Sequence, residues 1–130
     1  MNTRSNDIFD EYCYGPVDIM SLRKGSSTMW LQLQDVLGRK ALATYRGCVY
    51  WSLDTEQIGM HLPLVCKVSA QQLLTHSSPS LMLLRRNSSD IKSLLTDWEK
   101  DGLNFYVHYG PSKDQEFLVV ASSKQYEELM

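Results

Sequence analysis

Residues 90–121 read Asp90-Ile-Lys-Ser-Leu-Leu-Thr-Asp-Trp-Glu-Lys100-Asp-Gly-Leu-Asn-Phe-Tyr-Val-His-Tyr-Gly110-Pro-Ser-Lys-Asp-Gln-Glu-Phe-Leu-Val-Val-Ala121. Ile91, Leu94, Leu95 and Trp98 fall at i, i+3, i+4 and i+7, one apolar face of a helix over Asp90–Lys100. Ser88 or Ser89 supplies its cap, Asp90 suits its positive end, and Gly102 is a left-handed stop. The period then changes from 3.6 to 2. Leu103, Phe105, Val107 and Tyr109 alternate with Asn104, Tyr106 and His108, which predicts a strand with one apolar and one polar face. Gly110–Asp114 reads as a turn, and Glu116–Ala121 as a returning apolar strand. Ser122 or Ser123 then caps an expected last helix, Lys124–Leu129. The order helix, strand, turn, strand, helix is no regular βα alternation. It predicts an α+β fold: a mainly antiparallel sheet with two to four short helices packed on one face.

Outward from this stretch the signals are weaker. Residues 1–6 are polar and read as a loose tail ahead of a short helix, Asp7–Tyr14, capped by Asn6 and stopped by Gly15-Pro16. Val17–Leu22 reads as extended. Thr28–Ser52 is two-sided: Met29, Trp30, Leu33, Val36, Leu37, Ala41 and Tyr45 fit a helical stripe. Against it, Leu31-Gln32-Leu33-Gln34 alternates, Leu37–Lys40 resembles a tight turn, and Thr44, Tyr45, Val49, Tyr50 and Trp51 are strand formers. A β-hairpin is the favoured reading. His61–Val68 reads as one strand that Pro63 confines to an edge or bulge, and Ala70–His76 as a short helix capped by Ser69.

The 130 residues, 43% of them hydrophobic, make a single domain able to bury a core without staples. The net charge is −2, spread unevenly. Residues 41–86 carry four basic groups against two acidic, and residues 87–130 four lysines against eight acids. That balance does not favour nucleic acid, and no apolar run is long enough to span a bilayer. The three cysteines, Cys13, Cys48 and Cys66, are odd in number and widely spaced, and no apolar leader follows the N-terminus. A reducing, cytoplasmic setting with free thiols, mostly buried, is expected.

No catalytic signature is present. His61, His76 and His108 have neither the mutual spacing nor the close cysteine pairs of a zinc site, so no metal or cofactor is expected. Gly-x-Ser-x-Gly and both glycine-rich phosphate loops are absent. The carboxylates Asp97, Glu99 and Asp101 point different ways around a helix and read as its wet side.

Three tryptophans and seven tyrosines exceed what one small core requires. Such residues enrich interfaces, which makes a small protein-binding module the leading expectation: an adaptor, a regulator or an inhibitor of a partner protein. Two patches are its candidate contacts, Tyr45 with Tyr50 and Trp51, and the strand face carrying Asn104, Tyr106 and His108. The acidic final third would suit a basic partner surface. A small enzyme or ligand binder with a site near Cys48 and His108, His61 being a further candidate group, is one alternative. A nucleic-acid accessory protein using Arg85, Arg86 and Tyr106 is another. Homo-oligomerisation, through an edge strand bearing Tyr50 and Trp51, is compatible with each.

Overall fold

A computed structural model describes residues 13–75, 79–87 and 90–129. Its order is β1 (Cys13–Tyr14), β2 (Val17–Lys24), β3 (Thr28–Asp35), β4 (Lys40–Arg46), β5 (Tyr50–Trp51), β6 (His61–Leu62), β7 (Leu64–Val68), α1 (Ala70–Thr75), α2 (Pro79–Asn87), α3 (Ile91–Lys100), β8 (Asn104–Tyr109), β9 (Glu116–Ala121) and β10 (Ser123–Leu129). The strands form two five-stranded sheets, with order β1-β7-β8-β9-β5 and β10-β4-β3-β2-β6. Every pairing is antiparallel. The α+β class holds.

Two cores divide the molecule into three layers. Between the sheets lie Val17, Ile19, Met29, Leu31, Leu33, Ala41, Ala43 and Tyr45 of the second sheet, against Tyr14, Val65, Tyr106, Val119 and Ala121 of the first. On the far face of the first sheet, Phe105, Val107, Leu118 and Val120 meet Leu73 of α1, Leu81 and Leu84 of α2, and Leu95 of α3. The first sheet is thus the middle layer, buried on both faces.

Local chemistry accounts for the joints. Asp90 caps α3 by accepting a hydrogen bond from the Ser93 amide, while the serines expected in that role lie outside the described residues. Ser69 and Gln72 form a reciprocal capping box at α1. The hairpin reading of 28–52 is the structure's answer over Thr28–Arg46, with seven register pairs between β3 and β4. Pro63 breaks the single expected strand 61–68 into β6 and β7, which belong to different sheets. A second passage between the sheets runs through Gly15 and touches the first: a Cβ at Gly15 would stand 2.5 Å from the Pro63 carbonyl oxygen. So that corner needs glycine.

Two expectations are corrected. Lys124–Leu129 belongs to strand β10 and is not a helix, because the seven residues Ser123–Leu129 pair with β4 along their full length. Lys124 and Tyr126 turn inward there, while Gln125 and Glu127 face out. Of the expected helix Asp7–Tyr14, Cys13 and Tyr14 are strand, paired with Cys66 and Val65; the rest, like the tail 1–6 and His76, lies outside the described residues.

Candidate functional site

Three features stand apart from ordinary core and surface. The first is the tip of the β3–β4 hairpin. Asp35 is buried, and its Oδ1 accepts from the amides of Leu37 at 3.0 Å and Arg39 at 2.7 Å. Its Oδ2 accepts from Arg39 Nε at 2.7 Å. Burial alone would raise this carboxyl's pKa, but the Arg39 guanidinium and the two amides outweigh it and hold the pKa below the usual range. Gly38 supplies the left-handed residue at φ +84 that closes the loop. The result is a stapled loop that presents Val36 at 76% and Leu37 at 78% exposure, followed by exposed Arg39 and Lys40.

The second is a polar cluster sealed between the sheets. His108 is fully buried, and its Nδ1 lies 3.3 Å from the Phe117 carbonyl, which can only accept, so Nδ1 carries the proton. Nε2 then accepts from the Tyr45 hydroxyl at 2.7 Å. The Lys124 ammonium reaches in from β10 and stands 4.6 Å from the ring centres of Tyr14 and Tyr106, 4.9 Å from Tyr126 and 5.5 Å from Tyr45. Burial first, and the Lys124 charge second, push the imidazole down to about 3. Burial likewise drives the Tyr14 and Tyr45 phenols up. At neutral pH the histidine is therefore a neutral structural group, closed to solvent.

The third is a half-open groove of about 730 Å³ on the helical side of the first sheet. Its floor follows from register. One cross-strand row holds Cys13, Cys66 and Val107, and the next Leu64, Tyr109 and Glu116. Leu73 and Pro79 form a wall. Cys66 is 9% exposed, Cys13 is exposed, and both are free thiols. Burial first, and the neighbouring Cys13 thiol second, push Cys66 up to about 12.

The structure distributes the residues singled out in the sequence. Tyr45, Tyr106 and His108 meet in the interior, so the strand face expected to be polar and open is covered by the second sheet. Much of the aromatic surplus is spent there. Tyr50 and Trp51 are on β5, an edge strand as expected, but both are half-buried. Tyr50 stacks on Trp98 at 6.4 Å, and Lys24 stands 4.8 Å over the Trp51 ring. Cys48 bonds the Tyr45 backbone carbonyl while His108 bonds that residue's hydroxyl, so the pair does not meet as a nucleophile and base would. His61 pairs with Asp18 at 2.7 Å on the surface. Arg85 is exposed in the helical layer, on the opposite side of the middle sheet from Tyr106; the Arg86 side chain lies outside the described residues. Among the described residues no three His, Cys, Asp or Glu side chains converge as a metal would require, and no helix is long and apolar enough to cross a membrane.

Comparison with family models, curated proteins and solved structures returned no match to this chain.

Proposed function

We propose that this protein is a small cytoplasmic protein-binding module that engages its partner through the β3–β4 tip. The carrying observation is the adjacent pair Val36 and Leu37, each about three-quarters exposed on a loop whose shape is held by a buried carboxylate. Exposed aliphatic side chains cost solubility. A loop stapled in place loses little entropy when it docks, so its apolar contact area is converted to affinity efficiently. Exposed Lys40 follows the pair, beside the Arg39 that is held by Asp35, which fits an apolar slot with a carboxylate at its rim on the partner. Among the described residues no pair of catalytic groups supports an enzymatic reading to the same degree. A small-ligand reading draws support from the groove, whose size lies within the usual range for such sites, rather than from the surroundings of Cys48 and His108.

The test is capture of a partner from native lysate by the wild-type protein and by a Val36→Ser, Leu37→Ser double variant, with nucleic acid digested in a parallel arm. The variant should keep the wild-type melting temperature, since both side chains face water, and should lose the partner by at least about tenfold. A partner that binds both proteins equally, or that disappears on nuclease treatment, sinks the proposal.

A further inference from the structure

Cys13 and Cys66 have a relationship that nothing in the binding reading uses. They are direct cross-strand partners in the β1–β7 ladder. In an antiparallel pair, opposed Cα atoms stand roughly 4.5 or 5.5 Å apart according to the hydrogen-bonding phase, and opposed side chains share a face. Both separations lie inside the range of roughly 4.4–6.8 Å that a disulfide spans. The two thiols therefore point to the same side of the sheet, and both line the groove. Their accessibilities differ: Cys13 is exposed and Cys66 is 9% exposed. Cys48, the remaining thiol, is engaged with the Tyr45 carbonyl on another element and does not line the groove.

We propose that Cys13 and Cys66 form a redox-active dithiol that undergoes exchange with low-molecular-weight aliphatic disulfides entering the groove. The exposed Cys13, as thiolate, attacks one sulfur of the disulfide RS–SR. The S–S bond breaks and one RS⁻ leaves, taking up the proton that Cys13 lost. The mixed disulfide on Cys13 then faces Cys66. The Cys66 thiol gives up its proton and attacks the Cys13 sulfur, and the second RS⁻ leaves and collects that proton. The two protein thiols are oxidised to one disulfide, and RS–SR is reduced to two RSH. Burial makes Cys66 a poor first nucleophile, but its place directly across the ladder from Cys13 gives it a high effective concentration for the second step. In a reducing compartment such a bond is transient, as befits exchange or sensing rather than structural bracing. The inference is independent of the hairpin tip, which lies on the other sheet.

The experiment treats the purified full chain with 2-hydroxyethyl disulfide and follows intact mass and non-reduced digests. The expected product is two hydrogens lighter than the reduced protein, with Cys13 and Cys66 in one cross-linked peptide pair and Cys48 unmodified. Cys66→Ser should halt at a stable mixed disulfide on Cys13, persisting at least about tenfold longer than in the wild type. Cys13→Ser, a change at an exposed site, should leave Cys66 unreacted on the same timescale. A wild-type mixed disulfide as long-lived as that of Cys66→Ser would overturn the proposal, and so would a cross-link to Cys48 or equal reactivity of all three thiols.

Discussion

His108 shows how a single side chain can be polar by type and still serve as core. Its proton on Nδ1 goes to the Phe117 carbonyl, and its lone pair on Nε2 takes the Tyr45 hydroxyl, so both polar atoms are satisfied without water. Tyr45→Phe removes one partner and leaves a buried acceptor, which should cost about 1–3 kcal/mol in urea denaturation. A neutral result would show that the bond is not held in solution. The same burial has a pH signature. The folded histidine titrates near 3 and the unfolded one near 6.5, so between those values only the unfolded chain binds the extra proton. Its contribution is fully present above pH 6.5 and is lost as the pH falls towards 3. His108→Gln should therefore flatten the fall in stability between pH 6.5 and 4.5, by up to about 1.4 kcal/mol per pH unit. Identical slopes for the two proteins would place the imidazole in contact with solvent. Sequence alternation cannot foresee this arrangement, because Tyr106 and His108 look like a wet face until a second sheet with a complementary hydroxyl is set over them.

Among the elements, α3 is the one whose periodicity carried most information, and burial now ranks its stripe. Leu95 is fully buried under Phe105 and its neighbours, whereas Trp98 is half-buried and stacked on Tyr50. Leu95→Ala should cost about 2–5 kcal/mol, and Trp98→Ala should cost less despite the larger side chain, since part of its ring already faces water. A reversed order in chemical denaturation would mean that α3 sits rotated about its axis. The helix and strand β8 were legible because each keeps one period over a full element, and β9 because it is a short continuous apolar run after a turn. At β10 the reading failed: Lys124, Glu127 and Glu128 carry no strand preference, Ser122 or Ser123 resembles a cap, and the deciding term is the long-range ladder to β4, in which Ser123 pairs with Arg46 and Leu129 with Lys40. The hairpin tip was half legible. Gly38 marked the turn, but Val36 and Leu37 also matched an apolar stripe, and only the Asp35 staple turns them to solvent.

Across the whole molecule, the middle sheet ties the layers together. Within β8, Phe105 and Val107 face the helices, while Tyr106 and His108 face the second sheet; β9 divides in the same way, with Leu118 and Val120 on one side and Val119 and Ala121 on the other. No strand of this sheet can be lost to one core without exposing the other. The helices cannot shield the middle sheet if the sandwich opens, and the sandwich loses its inner wall if the helices leave, so the three layers should unfold as one cooperative unit. The tryptophans provide the probes. Trp98 reports on the helical layer, and Trp30 on the outer face of the second sheet, where Arg23 lies 5.1 Å over its ring. A variant with Trp30→Phe and Trp51→Phe leaves Trp98 as sole reporter; one with Trp51→Phe and Trp98→Phe leaves Trp30. Within each variant, the fluorescence transition in urea should coincide with loss of far-ultraviolet circular dichroism. If the Trp98 signal changes at lower urea than the dichroism of the same protein, the helical layer melts as a separate unit. In that event the groove it walls, with its two thiols, would open without loss of the sandwich that carries the hairpin tip.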